Sequence, residues 1–118
     1  MSVVPEAGDI VLLNLDPTIG TEQAGVRPCL VLSPRLMQSF SKRVIVCPIT
    51  SNVSPWPTKV FLPEGLRVTG AVLIDQIRAV DREARILRIM DKVPEATLAE
   101  ARDILATLCG INLAEDKI

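Results

Sequence analysis

Up to residue 92 the chain is a succession of short, β-branched apolar runs separated by turn-forming clusters, and after Pro94 the apolar spacing changes from strand-like to helical. Runs of that length with breaks between them fit the strands of an antiparallel sheet, and one late helical period adds a single amphipathic helix. Strands are predicted at residues 9–15 (DIVLLNL), 28–33 (PCLVLS), 43–50 (RVIVCPIT), 58–62 (TKVFL), 71–80 (AVLIDQIRAV) and 85–92 (RILRIMDK). The breaks DPTIGTEQAG, NVSPWP and LPEGLRVTG are rich in Pro, Gly, Ser, Thr and Asn. Ala96, Leu98, Ala101, Ile104, Leu105 and Leu108 recur at helical spacing behind Pro94 and Glu95, and Gly110 is the stop. The expected fold is mainly β, a small strongly bent antiparallel sheet or open barrel with a C-terminal α-helix, in one domain over residues 1–118. With two Phe, one Trp and no Tyr, its core must be aliphatic.

The chain contains no histidine. That removes two-histidine acid/base chemistry, Ser-His-Asp and Cys-His triads, and histidine-ligated metals. Catalysis would fall to carboxylates, Arg, Lys, hydroxyls or thiols, and no cofactor or metal is expected. Cys29, Cys47 and Cys109 lie far apart inside the apolar runs PCLVL, VIVCPI and ATLCGI, so all three are read as buried, reduced hydrophobes. The N-terminus lacks the basic start and apolar stretch of a signal peptide, and no apolar run reaches the ~18 residues of a membrane span. A cytoplasmic location is expected.

A net charge of -1 hides an asymmetry: residues 1–23 carry four acids and no base, whereas residues 24–92 hold most of the thirteen Lys and Arg. A basic middle on a neutral chain is the footprint of a phosphate-bearing partner. Four places carry candidate chemistry. The loop DPTIGTEQAGVRP, residues 16–28, groups Glu22, Gln23 and Arg27, whose guanidinium offers a fork to phosphate. Thr50 and Ser51 bring hydroxyls to the end of a buried strand. Asp75 lies within the apolar run LIDQI, on the same strand face as Leu73 and Ile77, with Arg78 on the opposite face. Trp56, held between Pro55 and Pro57, is suited to stack on a base or pack on a partner.

In their order along the chain, GDIVLLNLDPTIGTEQAGVRPCLVLSP, VCPITS, GAVLIDQIRAVD and an Ala/Leu helix after a Pro resemble the MazF/PemK (Kid) family of toxin endoribonucleases. The resemblance covers about residues 8–110. It implies an SH3-like barrel with a C-terminal helix, a homodimer, and metal-independent, sequence-specific cleavage of single-stranded RNA, by 2'-OH attack to a 2',3'-cyclic phosphate and a 5'-OH. It also implies inhibition of translation, a cognate antitoxin with an acidic, partly disordered tail, and DNA contact only through the antitoxin complex. Carried over residue by residue, the essential arginine falls on Arg27, the hydroxyl on Thr50, the loop acid and amide on Glu22 and Gln23, and an aspartate on Asp75. Either Glu22 or Asp75 would be the base. Gln23, Ser51, Trp56, Gln76 and Arg78 are expected to touch RNA. Two alternatives stand beside this reading: a gyrase poison of CcdB type, disfavoured because this helix ends Cys109-Gly110-Ile111 without that group's Trp, and a catalytically inactive member that binds RNA or antitoxin.

Overall fold

In the computed structural model, which describes residues 3–17, 20, 22–23 and 25–111, the first strand, β1 (Asp9–Asn14), is buried on both faces. Ile10 points into one apolar layer, and Val11 and Leu13 into another. This double burial is why DIVLL reads as a continuous apolar run and not as an alternation. Six more strands follow: β2 (Val26–Val31), β3 (Arg43–Thr50), β4 (Lys59–Phe61), β5 (Ala71–Leu73), β6 (Arg78–Asp81) and β7 (Ile86–Lys92). All pair antiparallel, in the order β4-β5-β3-β2-β1-β7, with β6 also on β3. Among the described residues the sheet bends but does not close.

The first layer contains Ile10, Leu30, Cys47, Ile49, Val72 and Ile74, with the helix α2 (Glu95–Leu108) laid over it. Ala101 is fully buried there, and Leu98, Ile104 and Leu105 pack beside it. Arg102 Nη2 ties the helix down by donating to the Leu32 carbonyl at 2.9 Å. The second layer holds Val11, Leu13, Leu15, Cys29, Val31, Val44, Val46, Val80 and Ile86. Each such aliphatic side chain stabilises the fold by about 1.5–3 kcal/mol on burial, so two layers suffice without an aromatic core.

Several expectations are corrected. Among the described residues there are seven strands where the sequence predicts six, because the run 71–80 is not one strand. A 3-10 turn, Ile74–Gln76, splits it into β5 and β6. Strand β3 is the reason: its end, Ile49 and Thr50, pairs with Val72 and Ala71, while its start, Arg43 to Val46, pairs with Asp81 to Arg78. The turn absorbs the extra residues between the two registers, opposite Pro48, which has no N–H for a ladder. Strand β2 starts at Val26, shortening the preceding loop. A 3-10 turn at Arg35–Ser39 and a one-turn helix α1 (Arg82–Arg85), capped by the Asp81 carboxylate on the Glu83 and Ala84 N–H groups, were also unforeseen. Cys29 and Cys47 are buried as expected, but Cys109 is exposed because it lies past the last turn of α2.

Candidate active site

Arg27 belongs to β2 and not to the loop before it. The β2–β3 register runs from Val31↔Val46 to Cys29↔Pro48, so Arg27 on β2 and Thr50 on β3 each lie two residues beyond its last pair, at the same end of the two strands. Arg27 alternates with Cys29 and Val31, and Thr50 with Val44 and Val46, so both side chains lie at the rim of the second layer. One fork of N–H donors and one hydroxyl thus lie at the same end and on the same face of the two strands. Arg27 is half-buried and Thr50 is 7% exposed. The Thr50 Oγ1 accepts the Asn52 N–H at 3.1 Å, a bond that leaves the hydroxyl proton for another acceptor.

Behind Thr50 the packing is tight. Gly70, at φ +126, lies against the Thr50 carbonyl oxygen, which any Cβ at that position would strike. Ser51, next in sequence, is exposed. The following loop is held by Lys59 Nζ, which donates to the Asn52 and Ser54 carbonyls at 2.9 Å each, and it presents Trp56 to solvent at 62% exposure.

Beside this pair opens a cleft of about 410 Å³ lined by Leu15, Glu22, Gln23, Pro48, Asp75, Gln76, Ile77, Arg78 and Ala79. Pro48 connects the two regions, because it lines the cleft and shares its strand face with Thr50. The cleft collects Glu22, Gln23, Asp75, Gln76 and Arg78, all singled out in the sequence. The expectation that Asp75 and Arg78 face opposite ways is overturned: the 3-10 turn breaks the alternation and turns both toward the cleft. Arg27, Thr50, Ser51 and Trp56 are not among its lining residues.

Electrostatics link the parts. Burial pushes the Cys29 thiol up to about 12, with the Arg78 and Arg27 charges pulling the other way, so both guanidinium groups act on one buried sulfur. Burial likewise pushes Cys47 up to about 12, reinforced by Cys29 and Asp75. Neither thiol is a nucleophile at neutral pH.

The loop carrying Glu22 and Gln23 is anchored at several points. The Gln23 N–H donates to the Gln76 Oε1 at 2.9 Å, and the Gly25 N–H to the Asp16 Oδ1 at 2.9 Å. Arg78 Nη1 donates to the Leu15 carbonyl at 3.4 Å, while Arg85 Nη1 reaches the carbonyls of Asn14, at 3.1 Å, and Asp16. Two arginines therefore grip three consecutive carbonyls at the root of the loop. Sequence reasoning missed Arg85 in this role. No local pattern marks a side chain that works on main-chain carbonyls some seventy residues away. Among the described residues no three His, Cys, Asp or Glu side chains gather as a metal site.

Residues 6–109 match the family described as the PemK-like, MazF-like toxin of type II toxin-antitoxin systems. The chain is 36% identical over 107 residues to endoribonuclease PemK of Escherichia coli, spanning 87% of this chain and 80% of that protein. Its fold superposes on the crystal structure of MazF from Deinococcus radiodurans with a TM-score of 0.84 and 39% identity, over 92% of this chain and 99% of that one. A MazE-MazF complex from the same organism matches with a TM-score of 0.80 and 38% identity, over 93% and 99%. By sequence and by fold, then, the chain belongs to the PemK-like, MazF-like toxin family of type II toxin-antitoxin systems.

Proposed function

We propose that this protein is the toxin of a type II toxin-antitoxin pair and acts as an endoribonuclease that cuts single-stranded mRNA at a short sequence motif and so stops translation. The observation that carries the reading is the placement of Arg27 and Thr50 at the same end and on the same face of the paired strands β2 and β3, beside a cleft holding two carboxylates. The similarity to endoribonuclease PemK supports it, and weighs against the gyrase-poison alternative.

The chemistry follows from these groups. The ribose 2'-OH attacks the adjacent phosphorus, the P–O5' bond breaks, and the products carry a 2',3'-cyclic phosphate and a 5'-OH. A cleft carboxylate, Glu22 or Asp75, takes the 2'-OH proton, and the departing O5' takes a proton from solvent water. Arg27 neutralises the phosphorane, where a bidentate contact gains most as charge develops. Thr50 donates its hydroxyl proton to a nonbridging oxygen. Gln23, Ser51, Gln76, Arg78 and Trp56 hold the strand, Trp56 by stacking on a base. No step calls on a metal ion.

The reading extends to the molecule's associations. The matching MazE-MazF complex supports a cognate antitoxin, whose acidic tail would compete with RNA for the basic face. Exposed Leu87 and Ile89 on β7, with Leu36 and Phe40 beyond β2, support pairing of two copies into a homodimer. A toxin that cuts mRNA works in the cytoplasm. Incubation of the purified protein with a long RNA in EDTA, followed by mapping of the ends, tests the core of the proposal. Cuts at a short motif with cyclic-phosphate ends are expected. Activity lost in EDTA and regained with magnesium would overturn the metal-free mechanism.

A further inference from the structure

We infer that Lys59 is a positioning residue for cleavage: its ammonium clamps the loop after β3, and through that loop it fixes the Thr50 hydroxyl at one end and the Trp56 ring at the other. The inference rests on the ribonuclease reading above and deepens it.

The loop has no apolar anchor. Every residue from 51 to 57 is exposed, so burial cannot offset the entropy of ordering them, and polar contacts must. Two of these are local: the Asn52 N–H donates to the Thr50 Oγ1 at 3.1 Å and the Ser54 N–H to the Asn52 Oδ1 at 2.9 Å, each across two residues. Contacts of that span shape a turn without tying it to the sheet. Lys59 supplies the tie. Its Nζ donates to the Asn52 carbonyl, seven residues back, and to the Ser54 carbonyl, five residues back, both at 2.9 Å. The strand that carries it is firm: Lys59 pairs with Leu73 on β5, and Val60 beside it is fully buried. Among the described residues Lys59 forms no salt bridge, so its donors go to the loop.

Asn52 carries the clamp to the reacting end. Its N–H is held on the Thr50 hydroxyl, its carbonyl on Lys59 and its side-chain oxygen on the Ser54 N–H. A hydroxyl that accepts from one fixed N–H has fewer directions left for the proton it offers. Toward the other end, the Ser54 carbonyl is held by the Lys59 ammonium and the Trp56 carbonyl by the Lys59 N–H, at 3.1 Å. Pro55 and Pro57 restrict the backbone on either side of the ring. Trp56 is thus exposed yet attached to a fixed stretch, and a platform ordered in advance loses less on stacking with a base.

Trp56 is the one tryptophan in the chain, so its fluorescence reports this loop alone. Lys59→Met keeps most of the stem and removes the donors, and Lys59→Arg returns donors to the same place. Lys59→Met should add a fast component to the Trp56 anisotropy decay. Once the motif has been mapped, it should also weaken binding of an RNA blocked by a 2'-deoxy residue at the cut by about tenfold, with kcat on cleavable RNA falling by a smaller factor through Thr50. Lys59→Arg should restore most of each. In a Trp56→Ala background the binding penalty of Lys59→Met should largely disappear, because both changes act on one stack. A penalty of equal size with and without Trp56, joined by a fall of about one in the slope of log Kd against log salt, would overturn the inference and make Lys59 a direct phosphate contact. Unchanged anisotropy and affinity in a Lys59→Met protein that is folded by circular dichroism would overturn it as well. Wild-type protein that cuts no RNA would remove the nuclease reading and the role in cleavage with it, while the anisotropy comparison, made without RNA, still decides whether Lys59 holds the loop.

Discussion

Arg27 bears the largest share of the proposed chemistry, and a guanidinium works there for reasons of shape as well as charge. A phosphorane presents two equatorial oxygens to a planar fork, and only Arg supplies two parallel donors. Arg27→Ala should lower the cleavage rate by about 10²-fold or more while the thermal unfolding midpoint changes little, as read by single-turnover kinetics beside circular dichroism. Arg27→Lys should recover only a small part of that loss. Thr50→Val, which keeps the shape and removes the hydroxyl, should cost about tenfold in the same assay. Near-normal rates in Arg27→Ala would move the reaction elsewhere on the molecule. Both residues are legible in the sequence as the right chemical types at strand ends. Their placement at one end of a strand pair is not, because it depends on the β2–β3 register, in which Cys29, Leu30 and Val31 meet Pro48, Cys47 and Val46 across the intervening stretch of chain.

At the level of elements, the 3-10 turn Ile74–Gln76 decides what the cleft contains, and it is the feature that alternation could not reveal. Leu73, Ile74 and Ile77 flank Asp75 with strand-like residues, and no Gly or Pro marks a break. The cause lies in β3, which changes partner from β5 to β6 across Pro48. The strands themselves were legible because apolar runs and turn clusters are local signals, and the 43–50 strand was placed to the residue. The β5 end is tied to Thr50 through Gly70, where a side chain would meet both a strained φ and the Thr50 carbonyl. Gly65 has a similarly positive φ of +94 but open space around it. Gly70→Ala should therefore be the more damaging by about 2 kcal/mol or more in denaturant unfolding, and should reduce cleavage as well, while Gly65→Ala shows strain alone. Equal costs for the two variants would mean that the Thr50 backbone yields freely and does not fix the hydroxyl.

For the whole molecule, the same missing histidine that shapes the chemistry also shapes stability against pH. Asp81 is lowered by the N–H groups of Ala84 and Glu83, Asp91 by those of Arg67 and Lys92, and Glu6 by hydrogen bonds and charge from Lys92 and Arg35. A carboxylate with a depressed folded value adds stability above its unfolded value, near 4, and loses it as pH falls through the lower folded value. The acid limb should thus begin below about pH 4.5 and be shallow, since all three groups are open to solvent. The alkaline limb has a different origin. Cys29 and Cys47 are pushed up to about 12, so their buried neutral thiols add stability that is complete below the unfolded value, near 9, and is lost as pH climbs toward 12. Lys92, raised by Glu6 and Asp9, acts in the same sense. No side chain has an unperturbed value between these limbs, so the unfolding midpoint should stay flat from about pH 5 to 8.5. Denaturant titrations from pH 3 to 10.5 under reducing conditions give the check, with Cys29→Ala expected to soften the alkaline fall. A maximum confined within the flat range would overturn this account of the two limbs.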